Sequence, residues 1–103
     1  GRVRDGATPG AFALADDGER WTFAGKLTFD NAESVLEAAR ALPLPTRGVD
    51  IAGLAHADSA ALAVLLGLKR RADAEGTPLA FASVPDTLVS LARVYGVDAL
   101  VGL

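Results

Sequence analysis

The stretch GVDIAGLAHADSAALAVLLGLKRRADAEG, from Gly48 to Gly76, decides the fold. Its opening, Gly48 to Leu54, is short, β-branched in places and bounded by loop residues, which predicts a central strand. AHAD follows as a turn. A helix is then predicted from Ser59 to Glu75. Its first turns are apolar on every side (Leu62, Val64, Leu65, Leu66, Leu68), which places it between a sheet and something else. Its last turns, KRRADAE, are solvated. Gly76 closes it as a left-handed cap residue, and Lys69, Arg70 and Arg71 lie toward the negative end of its dipole.

Working outward toward the N-terminus, GRVRDGATPG (1–10) is polar and has no periodicity, so it reads as a flexible lead-in. AFALA alternates Phe12 and Leu14 with alanines, Asp16-Asp17-Gly18 supplies turn chemistry, and ERWTFAG alternates Trp21 and Phe23 with polar or small residues; together they predict a β-hairpin. From Asp30 to Leu42, Ala32, Val35, Leu36, Ala39 and Leu42 recur at helical intervals. Asp30 and Glu33 resemble a capping box at its start, and Pro43 and Pro45 stop it. Toward the C-terminus, Pro78 to Val84 is a further strand candidate. Pro85 is placed at the first position of a third helix, with the stripe Leu88, Leu91, Ala92, Tyr95 and a terminal Gly96. VDALVGL at the end forms a last short strand or docks on the core. The order β-β-α-β-α-β-α predicts an α/β layer fold in which strands separated by helices run parallel.

The chain has 103 residues, half of them apolar and 22% charged, which is one core's worth of sequence and excludes a disordered solubilising segment. With no cysteine, disulfides, thiolate nucleophiles and zinc-thiolate sites are impossible. A net charge of −3 and a pI near 4.9 give no electrostatic footprint for nucleic acid. The longest apolar run, Ala60 to Leu68, falls far short of the ~20 residues that span a bilayer. No signal-peptide pattern opens the chain, and the lack of methionine reads as a trimmed start. The expectation is a soluble, cytosol-compatible single domain.

His56, Asp58 and Ser59 form the one His/Asp/Ser group, yet all lie within four consecutive residues. A nucleophile, its base and an orienting acid normally come from separate elements, and ADSAA is not a nucleophile elbow, so catalysis is not expected. AGKLT fails the phosphate-loop frame because Arg20 and Leu27 stand at required positions. One histidine and scattered carboxylates give no metal-ligand spacing, and no cofactor site is expected. Lys69-Arg70-Arg71 is either a basic docking spot or a solvated helix end. The junction Asp58-Ser59 has two readings that stay open. Asp and Ser are favoured helix caps, and a phosphate on Ser59 would sit at the anion-favouring end of a buried helix.

The Gly48–Gly76 string resembles the core motif of the STAS domain family, in which a buried strand leads to Asp-Ser/Thr at the start of an apolar helix. The likeness covers nearly the whole chain, including Gly25 and Leu27 at the hairpin end, PLAFASVPDTL and LARVYGV. It implies a STAS fold over 11–103: a mixed sheet of four to five strands packed with three main helices. GKLTFDNA, DSAALAVLLGLKRRA and SLARVYGVDAL are most similar to the MlaB-type branch, the STAS subunits of phospholipid ABC transporters. That resemblance implies a non-catalytic cytoplasmic subunit. It would bind the transporter's ATPase subunit, and indirectly the membrane permease, at the inner face of the inner membrane, in the upkeep of outer-membrane lipid asymmetry. Ser59 matches the position phosphorylated in sigma-regulating relatives and important for ATPase binding in the MlaB-type branch, and Asp58 matches the preceding acid. Ala61 replaces the usual glycine, and Lys26 and Thr28 replace the acids of the sigma-regulating pattern, which favours a constitutive interface over kinase-controlled switching. The expected partner surface comprises Ser59, Asp58, His56, Lys69 and Arg70. The alternative is an anti-sigma factor antagonist regulated by phosphorylation of Ser59.

Overall fold

The computed structural model of the protein describes residues 11–103; the lead-in read over 1–10 lies outside them. Seven elements follow one another: β1 (Ala13–Asp16), β2 (Trp21–Leu27), α1 (Ala32–Arg40), β3 (Val49–Ala57), α2 (Ser59–Glu75), β4 (Phe81–Ala82) and α3 (Asp86–Val94). The sheet order is β1-β2-β3-β4. β1 and β2 form the expected antiparallel hairpin, and β2–β3 and β3–β4 are parallel, each pair joined through a helix. The sheet is therefore mixed, with four strands among the described residues.

Asp17 builds the hairpin turn. Its Oδ1 accepts from the amides of Glu19 at 2.9 Å and Arg20 at 2.7 Å. These backbone bonds, Arg20's first and Glu19's second, hold its carboxyl below the usual aspartate value of 3.8. A depressed folded-state pKa means stabilisation that is complete above the ordinary value and lost as pH falls through the lowered one. Amide exchange at Glu19 and Arg20 is thus expected to accelerate on acidification below pH 3.8 beyond the intrinsic trend. Asp17→Ala should lose that extra acceleration; an unchanged profile in the variant would dismiss the carboxylate as its cause.

Along β2, Trp21, Phe23 and Leu27 are fully buried, and they meet β3 in a register that slips twice. Thr22 lies opposite Asp50, Ala24 opposite Gly53 and Lys26 opposite His56, so β3 carries two more residues than β2 over this span. Each extra residue reverses the inward alternation of the strand. Val49, Ile51 and Leu54 are therefore all buried, and Ala57 packs against the same core. The irregularity also lengthens the strand. The turn expected at AHAD is absent: extended structure runs through Ala57 and passes directly to α2.

α2 lies across the sheet as the central helix, burying Ala61, Leu62, Val64, Leu65, Leu68 and Ala72, and Gly76 ends it at φ 70° as expected. α1 adds Val35 and Ala39, and α3 adds Leu88 and Ala92. The last residues form turns rather than a strand, with Val101 docked in the core at 2% exposure. Four further expectations are corrected. The Asp30/Glu33 capping box does not form and α1 begins at Ala32, because Asp30 pairs with Lys26 of β2 at 3.0 Å. Asn31 closes the β2–α1 turn instead, accepting from the Thr28 amide and donating to the Lys26 carbonyl. β4 is two residues long rather than seven. Pro85 is the N-cap rather than the first helical residue, and Tyr95, read as part of the buried stripe, is 59% exposed.

Two residues of the basic run, Lys69 and Arg71, make tertiary hydrogen bonds. α2 continues to Glu75, with no basic residue in its last turn. Arg71 reaches across to α1, donating from Nη1 to the Ala39 carbonyl at 3.1 Å and from Nη2 to the Leu42 carbonyl at 2.7 Å. These are carbonyls at the C-terminal end of α1, where backbone acceptors lack intrahelical partners and cations are favoured.

Candidate functional site

The C-terminal ends of β2 and β3 deliver two loops to one rim, and Asp58 ties them together. As N-cap of α2, Asp58 accepts the Ala60 amide on Oδ1 at 2.8 Å. Its Oδ2 accepts the Phe29 amide of the β2–α1 turn at 3.1 Å. Both carboxylate oxygens are therefore committed within the domain. Of the two residues at this junction, it is Asp58 that caps the helix, and the same carboxylate holds the rim together.

That division of labour frees its neighbour. Ser59 is the exposed first residue of α2, and among the described residues its hydroxyl has no hydrogen-bond partner. It lines an apolar cleft of about 280 Å³, whose other lining residues are Leu62, Ala63 and Leu66 from α2 and Tyr95 and Val97 from the end of α3 and the segment after it. Across the Asp58 bond, Phe29 projects from its turn at 85% exposure. An exposed phenylalanine on a fastened turn is a feature that the sequence reading passed over. The one signal was an aromatic residue inside a loop, between Thr28 and Asp30. Tyr95 was missed as a cleft wall for a different reason: its helical spacing matched the core stripe, and spacing alone does not show where a short helix leaves the body of the domain.

The structure does not bring His56 to this cleft. His56 lies opposite Lys26, while Ala57 lies opposite the buried Leu27. Since successive strand residues face opposite sides, His56 and Lys26 lie on the sheet face away from the helices. Lys69 donates from Nζ to the Leu79 carbonyl at 3.0 Å and joins α2 to the segment before β4. Arg70 is exposed on α2. Among the described residues no group of His, Asp and Glu is placed to hold a metal ion, and no helix is long and apolar enough to cross a membrane.

Replacing Asp58 by Ala removes an N-cap, typically worth about 1 kcal/mol, together with the bond that fastens the Phe29 turn. A stability loss of about 1–2 kcal/mol in urea denaturation is expected, with faster hydrogen exchange at the Phe29 and Ala60 amides. Unchanged exchange at Phe29 would mean that the carboxylate does not fasten that turn.

The family model described as "Mlab, STAS domain" matches residues 11–102, from just before β1 to one residue short of the C-terminus. No curated protein sequence matches the chain. The matched segment takes in the whole sheet, all three helices and the Asp58-Ser59 junction on which the rim is built, and the observed mixed α/β topology agrees with it; the chain belongs to the MlaB-type STAS domain family.

Proposed function

We propose that this chain is a non-catalytic STAS subunit of a phospholipid ABC transporter, that it docks on the transporter's ATPase subunit (MlaF-like) through the Ser59 rim, and that it supports assembly and activity of the complex. STAS domains are in general binding domains rather than enzymes, and the family to which the chain belongs supports a protein partner. Contact with the membrane permease (MlaE-like) is indirect. The domain, 11–103, works at the inner face of the inner membrane in maintaining outer-membrane lipid asymmetry, without cofactor or nucleic acid.

The observation that carries this reading is the placement of Ser59. Asp58 takes over the capping duty, so a small exposed hydroxyl is left at the edge of an apolar cleft, with the Phe29 ring across the rim. Apolar area bordered by a few polar groups is how the centre and rim of protein interfaces are built. The arrangement is unsuited to turnover: Asp58 is saturated by amides and His56 lies on the other face of the sheet, so neither is placed to activate Ser59.

Co-expression with the ATPase subunit of its own transporter operon tests the proposal. The two chains should co-elute, and the assembled complex should lose transport activity when this subunit is omitted. Failure to co-elute, or phosphotransfer from ATP to Ser59 by a cognate serine kinase with release of an anti-sigma factor, would replace the transporter reading by the sigma-regulating one.

A further inference from the structure

The cleft beside Ser59 has a direction, set by α2. Ser59, Ala63, Leu66 and Arg70 follow one another at intervals of four, three and four residues, which aligns them along one side of the helix. Ser59 and Ala63 are exposed, Leu66 is half-buried and Arg70 is exposed. At ~1.5 Å per residue the line from Ser59 to Arg70 is roughly 16 Å long, about three helical turns. The cleft is lined on α2 by Ser59, Leu62, Ala63 and Leu66 and on its other wall by Tyr95 and Val97, and Arg70, outside the lining, is the next residue along the same side of the helix.

Arg70 differs from the two cations beside it. Lys69 and Arg71 are both spent inside the domain, on the Leu79 carbonyl and on the carbonyls of Ala39 and Leu42. Arg71 also pairs with Glu75. Among the described residues Arg70 makes no ion pair and no hydrogen bond, including with Asp73 one turn further on. It offers a charge in a fork geometry suited to a carboxylate.

We infer that the occupant of this cleft is an amphipathic helix of the partner, about three turns long, that lays an apolar stripe between α2 and Tyr95–Val97 and carries a carboxylate at the end that meets Arg70. The inference rests on the docking role proposed above and specifies the chemistry of the partner element. The helical form follows from the walls of the cleft. α2 satisfies its own backbone groups, and no strand edge contributes to the lining, so an incoming segment has no ladder to join and must satisfy its own amides. The carboxylate follows from charge complementarity with Arg70, which fixes register more than it adds affinity.

The test measures binding of the ATPase subunit to the full chain and to Ala63→Trp, Arg70→Glu and Ser59→Arg, at low and high salt. Each variant is first checked by thermal melting. Ala63 is exposed, so its replacement by Trp fills the cleft without opening the core. Ala63→Trp should weaken binding about tenfold or more, as blocking a central apolar contact does. Arg70→Glu should weaken it about five- to tenfold at low salt, with the difference shrinking as salt rises. Wild-type affinity for Ala63→Trp and Arg70→Glu, with loss only for Ser59→Arg, would overturn the inference and leave the docking role standing. Wild-type affinity for all three would remove both. A self-association of the isolated chain that Ala63→Trp abolishes would assign the cleft to a second copy and likewise overturn the inference.

Discussion

Ser59→Arg is expected to weaken binding of the ATPase subunit by at least about thirtyfold, equivalent to the ~2 kcal/mol that marks a central interface residue. The domain itself should remain folded. Ser59 is exposed, occupies the first position of α2 and has no hydrogen-bond partner among the described residues, so its removal breaks no internal contact. The capping bond to Ala60 comes from Asp58 and survives. An arginine at this end of a helix opposes the dipole, which costs about 0.3–1 kcal/mol at an exposed site. That is small beside the effect on docking, where a long cationic side chain would stand in the lining of an apolar cleft. Titration calorimetry against the ATPase subunit, alongside a thermal melt, separates the two effects. Ser59→Asp adds a distinction of its own. Its charge suits the helix end and should raise or preserve the melting temperature, yet it should weaken docking if the apposed surface is apolar or acidic. Wild-type affinity in Ser59→Arg would end the case for this rim as the docking site.

Gly48→Val should cost about 3 kcal/mol or more of folding stability, a large part of the 5–15 kcal/mol typical of a domain. Gly48 begins the turn into β3 with φ at +102°, and a Cβ there would lie 2.6 Å from the Ala80 carbonyl oxygen. The residue that would have to yield, Ala80, meets the added atom with its backbone. The Gly48 carbonyl accepts from the Trp21 amide at 3.1 Å, and the Ala80 carbonyl accepts from the Val49 amide at 2.9 Å. One side chain would therefore strain the backbone bonds that bind the start of β3 to both of its neighbours. The left-handed conformation alone costs a non-glycine residue roughly 1–2 kcal/mol, more for a β-branched one. Gly76→Ala isolates that conformational part, because Gly76 has a positive φ of +70° and open space around it; about 1 kcal/mol is expected there. Similar losses at the two positions in urea titrations would show that the Ala80 contact contributes nothing.

Much of this architecture could be read from local pattern. The hairpin was legible in the alternation around Asp16-Asp17-Gly18, and α2 in an apolar run bounded by Asp58 and Gly76. What pattern misjudged were the places where two elements meet. The AHAD segment reads as a turn because alanine, histidine and aspartate are poor strand residues. β3 nevertheless extends through it, since pairing with Lys26 and Leu27 supplies partners that no local window contains. Asp30 has the right spacing for a cap, but Lys26 competes for its carboxylate across the turn. Within the candidate site, the Asp58-Ser59 junction was visible as a helix start. Which face of the sheet His56 occupies was not visible, because the two additional residues in β3 set it, and a register slip has no signature in a single strand's sequence.

The sequence by itself determined the class of fold, the order of its elements, the burial of α2 and the helix start at Asp58-Ser59. These follow from periodicity and capping chemistry, which act over a few residues. Only the tertiary structure decided how adjacent residues divide their roles. Asp58 caps and clamps while Ser59 stays bare, and Lys69 and Arg71 bind distant carbonyls while Arg70 keeps its charge at the surface. Adjacent residues of one chemical type look alike along the chain. Helix phase points them in directions about 100° apart, and what lies in each direction, the Phe29 turn, the end of α1 or the open cleft, is supplied by segments far away in sequence.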